Sequence, residues 1–197
     1  MKRLSLLICI AAASFASNAV AQSQDLAFIG DHAGAGSQGR IAVNQAAGVG
    51  NAQANLAAFA YSQEGIGLAD ANSLQSATPA QRAAAASATI DGTAFNGSSG
   101  ALSLNQVAGS SNLQLNTIAI GTGGFSLIAR ADDAALSETA GAGTSTEGTA
   151  TATPDRHALI DTDAFRGSQG VVQVNQTAGV GNLSTNAIVL QLPGSTP

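Results

Sequence analysis

Most of the residues that stabilise compact folds or build active sites are rare in this sequence. Its 197 residues include one Cys, one Met, one Tyr, four Pro and no Trp. A single Cys forms no disulfide framework within the chain, and it lies at position 9, inside a segment that we expect to be removed. Because aromatic and other large side chains carry most of the area buried in a globular core, their scarcity argues against a conventional core.

Charge is scarce as well. Only 10% of the residues are charged, and the formal net charge is −5. Lys2 and Arg3 lie at the N-terminus, and the other arginines are scattered along the chain. A clustered basic face is the usual footprint of a nucleic-acid-binding domain. The sequence therefore predicts no nucleic-acid partner.

The first 21 residues have the pattern of a secretory signal peptide. Lys2 and Arg3 precede an apolar run at 4–15, and Ala19-Val20-Ala21 forms a small-x-small cleavage site. The apolar run is shorter than the ~20 residues that a membrane-spanning helix needs. We expect cleavage after Ala21, export to the cell surface or beyond, and a mature repeat domain over residues 22–197.

One pattern is written three times in the mature chain. It reads Gly-x-x-x-x-Asn-Gln-x-Ala-Gly-x-x-Asn-x-x-x-Asn and occupies residues 39–55, 100–116 and 170–186. Extended towards both ends, it defines three units in which 12 of 33 positions are identical, at 27–59, 88–120 and 158–190. Self-similarity of this length is typical of repeat architectures, in which each unit buries its face by stacking on the next. The connecting segments 60–87 and 121–157 share little and are predicted to be irregular linkers, with a short strand at 125–128 left as an alternative.

Each unit reads as two or three short strands joined by tight reversals. Apolar residues alternate in the middle of each unit, as at Ile41 and Val43, which is the period-two pattern of a strand. Glycine, which tolerates positive φ, stands at both ends of that strand, where we expect the chain to reverse. The predicted turn glycines are Gly39, Gly48, Gly100, Gly109, Gly170 and Gly179.

Two packing modes suit such a unit, a closed hairpin and an arch stacked on its neighbours. The recurring amides favour the stacked arch, because Asn and Gln placed over their own kind at ~4.8 Å form the amide ladders of cross-β structures. Residues 39–59, 100–120 and 170–190 hold no acidic residue, and Arg40 is their one charge. This suits a stack in which each residue lies over its equivalent, because equal charges at that spacing would repel. The predicted stacking and polymerisation residues are Asn44, Gln45, Asn51, Asn55, Asn105, Gln106, Asn112, Asn116, Asn175, Gln176, Asn182 and Asn186.

The sequence offers no catalytic, metal-binding or cofactor-binding constellation. His32 and His157 occupy different places in their units and have no ligand set beside them. Ser37, Ser98 and Ser168 recur in a Gly-Ser-x-Gly turn, but no base accompanies them, and a turn-shaping role explains the recurrence. We therefore expect a protein that is not an enzyme and has no cofactor.

The repeated pattern resembles that of the Fap-type functional amyloids, secreted fibre proteins of Gram-negative biofilms. Residues 39–55 and 170–186 fit the family repeat well, and 100–116 fits with Ser110-Ser111 in the turn. The chain departs from it at Gln45, Gln106 and Gln176, in the paired Gln after the turn, and in having no C-terminal Cys pair. The resemblance implies an extracellular fibre subunit, major or nucleating, that leaves the cell through an outer-membrane export pore. Curli subunits match less well, because their repeats are shorter and their Gln-to-Asn spacing differs.

These observations together predict an all-β fold in which three imperfect repeats stack as a short β-solenoid, a cross-β arch, with irregular linkers. The expected function is a self-assembling fibre subunit of the biofilm matrix that contributes to surface adhesion. Its expected partners are other copies of itself, related fibre subunits and the export pore. The alternative is a monomeric β-solenoid adhesin or ligand-binding protein, which would need residues 22–26 and 187–197 to fold over the ends of the stack as caps.

Overall fold

The computed structural model describes residues 23–62, 66–76, 84–123, 126–132 and 154–193, and the predicted signal segment lies outside this part of the chain. Within it, no helix is long and apolar enough to cross a membrane. The regular elements of the described residues are β-strands: β1 Gln24–Ile29, β2 Gln38–Ala47, β3 Ala52–Ser62, β4 Ile66–Asn72, β5 Ala85–Ile90, β6 Ser99–Ser110, β7 Leu113–Gly123, β8 Ser126–Asp132, β9 Arg156–Ile160, β10 Gln169–Val180 and β11 Leu183–Pro193.

The strands pair between repeats rather than within them. Three parallel sheets form, in the orders β1-β5-β9, β2-β6-β10 and β3-β7-β11, so each sheet takes one strand from each unit. The register is the one obtained by aligning the three repeats with one another: Ile29 pairs with Ile90, and Ile90 pairs with Ile160. We call the units the first copy (β1–β3), the second copy (β5–β7) and the third copy (β9–β11). The prediction of an all-β stack of three repeats is confirmed.

The order of the copies fixes their burial. The second copy lies between the other two, and Leu104, Leu115 and Ile118 in it are fully buried. Equivalent positions in the outer copies are partly open, since each has a neighbour on one side only. The main apolar cluster runs through all three copies and consists of Ile29, Ile90, Ala94, Phe95, Leu102 and Leu104, with Ile41, Val43, Phe165 and Val174 among the residues packed against it.

The prediction of irregular linkers is wrong for part of both linkers. Strands β3 and β7 continue to Ser62 and Gly123, past the ends of the predicted units, and after short gaps β4 and β8 pair in parallel as a fourth ladder. The register sets Asp70 opposite Arg130. Because β3 and β7 are already aligned, the segments that follow them leave the stack side by side and can pair without any sequence identity. The strand considered at 125–128 corresponds to the start of β8, whereas 77–83 and 133–153 lie outside the described residues.

Candidate functional site

The twelve predicted stacking residues stand in four columns that run through the three copies. In each column the side-chain amide of one copy donates a hydrogen bond to the side-chain oxygen of the copy before it. The distances from nitrogen to oxygen are 2.9 and 3.0 Å for Asn44–Asn105–Asn175, 2.8 and 2.8 Å for Gln45–Gln106–Gln176, 2.9 and 2.8 Å for Asn51–Asn112–Asn182, and 2.9 and 3.0 Å for Asn55–Asn116–Asn186.

Two of these columns also bind to each other inside every copy. The Nδ2 atom of Asn55 donates to Oδ1 of Asn44 at 2.8 Å, and the same bond recurs from Asn116 to Asn105 and from Asn186 to Asn175. These bonds join the second strand of a copy to its third strand through side chains, while the backbones bond to neighbouring copies. The arrangement is therefore the stacked arch and not the closed hairpin.

In the second copy this amide network is fully enclosed. Asn105, Gln106, Asn112 and Asn116 have no exposed surface. A buried amide that lacked partners would cost about 1–3 kcal/mol per unpaired group. Here the identical residues of the adjacent copies supply the partners, which explains how such polar side chains lie in the interior.

Glycine is required at both strand ends because the copies approach too closely for a side chain. The φ angles of Gly48 and Gly109 are 111° and 119°, in the left-handed region. A Cβ atom added at Gly48 would overlap the carbonyl oxygen of Gly109, and one added at Gly109 would overlap that of Gly179. Gly100 and Gly170 are in the same position relative to Gly39 and Gly100, respectively. At four of the six predicted turn glycines, the backbone of a neighbouring copy thus occupies the place of a Cβ atom.

The turn before the middle strand contains an aromatic pair that the sequence reasoning missed. The rings of Phe95 and Phe165 stack in parallel with their centroids 5.4 Å apart, and both residues have positive φ. The equivalent residue of the first copy is Gly34, where an added Cβ would overlap the ring of Phe95. The shared Ala-Phe-x-Gly-Ser sequence of the second and third copies was the available signal, and its absence from the first copy obscured it.

In the part of the chain that the structure describes, charged side chains lie at the turns and borders of the stack, except that Asp25 in β1 is only 4% exposed. Asp31 accepts hydrogen bonds from the backbone N–H and hydroxyl group of Thr93 at 2.7 and 2.8 Å, which hold the pKa of Asp31 below its ordinary value. Arg40 is half-buried, and burial lowers the pKa of Arg40. Among the described residues, no group of three or more His, Cys, Asp or Glu side chains could hold a metal ion.

The stack ends in two open edges. We call them the first-copy edge (β1, β2 and β3) and the third-copy edge (β9, β10 and β11), since each of these strands pairs on one side only. Large apolar residues of the repeats are exposed in the two outer copies, with Phe28 at 49% and Leu159 at 60% as examples. The segments that a capped monomer would fold over the edges belong, where described, to the paired strands β1 and β11. Open strand edges of this kind are templates for the addition of further strands.

Comparison with known proteins decides the family. The sequence model of the Functional amyloid protein FapB/FapC family matches residues 10–193, nearly the whole chain. This chain belongs to the FapB/FapC family. No solved structure matches its fold.

Membership of the FapB/FapC family makes the chain a functional amyloid fibre subunit and confirms the predicted Fap-type resemblance. It also accounts for the geometry, because a FapB/FapC subunit assembles into fibres and the in-register parallel ladders of this chain are those of a cross-β fibre. The family is one of structural amyloid proteins, whereas the expectation that this chain has no enzymatic activity remains a prediction.

Proposed function

We propose that this chain is secreted after cleavage behind Ala21, leaves the cell through an outer-membrane export pore, and polymerises end-on into fibres of the biofilm matrix that attach cells to surfaces. The predicted stacking residues, Asn44, Gln45 and their equivalents, are the polymerisation residues in this proposal. The observation that carries it is that all four amide columns end at open edges of the stack. Another copy of the chain would continue every column.

The end-on direction of growth follows from which hydrogen-bonding groups of the chain already have partners. Inside the stack the second copy has its amides bonded on both sides, so its environment is that of a layer within a fibre. The outer copies have this environment on one side only. Addition of a chain at an edge would give the outer copy the same set of partners. Growth is therefore favourable at the two open edges, where hydrogen-bonding groups lack a neighbouring copy.

The proposal predicts a defined loss in cells. Cells without this chain should lose surface attachment and extracellular fibres that bind amyloid dyes, and the unmodified gene should restore both. A gene carrying Gly39→Ala, which leaves the interior of the chain untouched, should restore secretion but not fibres or attachment. The measurements are crystal-violet attachment, electron microscopy of the cell surface and immunoblots of the secreted chain.

Two results would contradict the proposal. Secreted chain that supports attachment while it stays monomeric would favour the monomeric adhesin instead. Purified chain that stays monomeric for days at tens of micromolar would contradict the formation of fibres.

A further inference from the structure

The hydrogen bonds between side chains within the amide columns all point in one direction. Inside the four columns, each bond between side chains is donated towards the first-copy edge, so the third-copy edge presents the oxygens of Gln176, Asn182 and Asn186. Other amide bonds run the opposite way, since Asn51 and Asn112 also donate to the carbonyls of Gly109 and Gly179 in the copy after them, and Gln53 donates to Gln114. Gln106 donates to three oxygens, of which Gln45 Oε1 and the Ala27 carbonyl belong to the copy before it. Among the described residues, Gln45 donates only to its own copy, at the Phe28 carbonyl. For the bonds between side chains in the four columns, the first-copy edge therefore offers donors and the third-copy edge offers acceptors.

Backbone groups at the two edges are complementary as well. The N–H groups of Ser99 and Gln169 donate to the carbonyls of Ser37 and Ser98 in the copy before them. By the same repeat, the N–H of Gln38 points out of the first-copy edge, and the carbonyl of Ser168 is the matching acceptor on the third-copy edge.

A second backbone series runs in the opposite sense. The N–H groups of Ala52 and Leu113 donate to the carbonyls of Asn112 and Asn182 in the copy after them. The N–H of Leu183 is the next member of this series and points out of the third-copy edge, where the carbonyl of Asn51 from another chain would complete it. Each edge thus offers donors and acceptors in the positions that the other edge needs.

The charged residues of the two edges are also complementary. Asp25 pairs in register with Ala86, and Ala86 pairs with Arg156. If the register continues from one chain to the next, Arg156 lies one layer from Asp25 of the next chain. Opposite charges then become neighbours at the junction, whereas Arg40 meets the uncharged position of Val171.

We propose that chains join in one direction only, with the third-copy edge of one chain against the first-copy edge of the next, and with Arg156 beside Asp25 of the added chain. This inference rests on the proposed function and specifies its partner surface. Two like edges would be related by a two-fold axis, which makes paired strands antiparallel. In the amide columns, two third-copy edges would set oxygens against oxygens, and two first-copy edges would set nitrogens against nitrogens. The resulting fibre has two different ends.

Two proline variants test this polarity by blocking one edge each. Gln38→Pro removes the outward N–H of the first-copy edge, and Leu183→Pro removes that of the third-copy edge. Both positions are the first residue of a strand, where proline is tolerated, and by the repeat both N–H groups face outward. Gln38→Ala and Leu183→Ala keep the N–H groups and serve as matched controls. Gly39→Ala blocks the first-copy edge by a second route if Gln38→Pro does not fold.

One-way joining predicts a distinct result for the mixture. At concentrations where the unmodified chain and the alanine controls form fibres, each proline variant alone should remain a monomer by analytical ultracentrifugation. An equimolar mixture of the two should form dimers and nothing larger. On preformed fibres of the unmodified chain, each variant should stop growth at one end, and both together should stop growth at both ends.

Other outcomes overturn the inference. Dimers of either proline variant alone would mean that like edges join. Monomers in the mixture, with fibres in the alanine controls, would mean that these two edges do not meet. If the unmodified chain forms no fibres, the proposed function fails first, and that result is separate from both of these.

Discussion

Replacement of Asn105 by Asp should destabilise the folded chain by about 3–5 kcal/mol, the usual cost of an uncompensated buried charge. The Nδ2 atom of Asn105 donates to Asn44 Oδ1, to the Ala54 carbonyl and to Asn55 Oδ1, at 2.9, 2.8 and 3.1 Å. A carboxylate in its place would direct negative charge at these three acceptors in a position without solvent contact. Denaturant unfolding of the monomer measures the loss.

The pH dependence of this variant follows from the same contacts. Burial and the surrounding oxygens raise the pKa of the new carboxyl group above that of the unfolded chain. The destabilisation is therefore largest at pH values above this raised pKa, and it decreases as the pH falls through it and the group becomes neutral. A variant whose stability deficit does not shrink on acidification would contradict this origin.

Asn44→Asp is the matched control for Asn105→Asp. Asn44 is exposed, and its Oδ1 accepts from Asn55 and Asn105, a role that a carboxylate keeps. Its unfolding free energy should change by less than about 1 kcal/mol. Its fibre growth should still be slow, because the new charge faces the Asn175 oxygen of an added chain. Equal destabilisation by the two substitutions would show that the columns are not enclosed as described.

Replacement of Gly170 by Ala should also damage the folded chain, and far more than the same change at Gly39. The two glycines have similar φ angles, 103° and 90°, so the backbone strain of an alanine is about 1–3 kcal/mol in both. A Cβ at Gly170 would overlap the carbonyl oxygen of Gly100, whereas one at Gly39 would meet nothing within 4 Å. The difference between the two unfolding free energies therefore isolates the close contact between copies.

The same pair separates folding from assembly. By the repeat, the position of a Cβ at Gly39 faces the Gly170 carbonyl of a neighbouring chain in the fibre. Gly39→Ala should thus leave a folded monomer whose fibre growth, followed by amyloid-dye fluorescence, falls at least tenfold. Equal stability loss in both variants, or normal fibre growth of Gly39→Ala, would contradict the account.

The sequence predicted the stack well because the determining residues recur in all three copies. Asn44, Asn105 and Asn175 share their spacing to the next Asn and Gln, and an in-register stack is the arrangement that lets such identical amides serve one another. Sequence reasoning failed where the pattern did not recur in full. Phe95 and Phe165 have no counterpart at Gly34, and the two segments that form β4 and β8 share few residues. Their pairing depends on the alignment of the strands before them, which is a tertiary effect.

The direction of the amide bonds was also beyond the sequence. An Asn column can place its nitrogens towards either end, and nothing in the spacing of Asn51, Asn112 and Asn182 chooses between them. The backbone makes the choice, since the N–H groups of Asn112 and Asn182 donate to the side-chain oxygens of Asn51 and Asn112. These oxygens must therefore face the next copy, so the amide of the next copy is the group that donates to them, while the nitrogens of Asn51 and Asn112 also reach the carbonyls of Gly109 and Gly179.

The mass per unit length of the fibres tests the central claim, that each chain contributes three stacked layers. Scanning transmission electron microscopy of unstained fibres measures it, and fibre diffraction supplies the layer spacing. Three layers at ~4.8 Å predict one chain for every ~14 Å of a single filament. One chain for every ~4.8 Å, a threefold higher mass per length, would mean that each chain lies flat as a single layer and would contradict the stack.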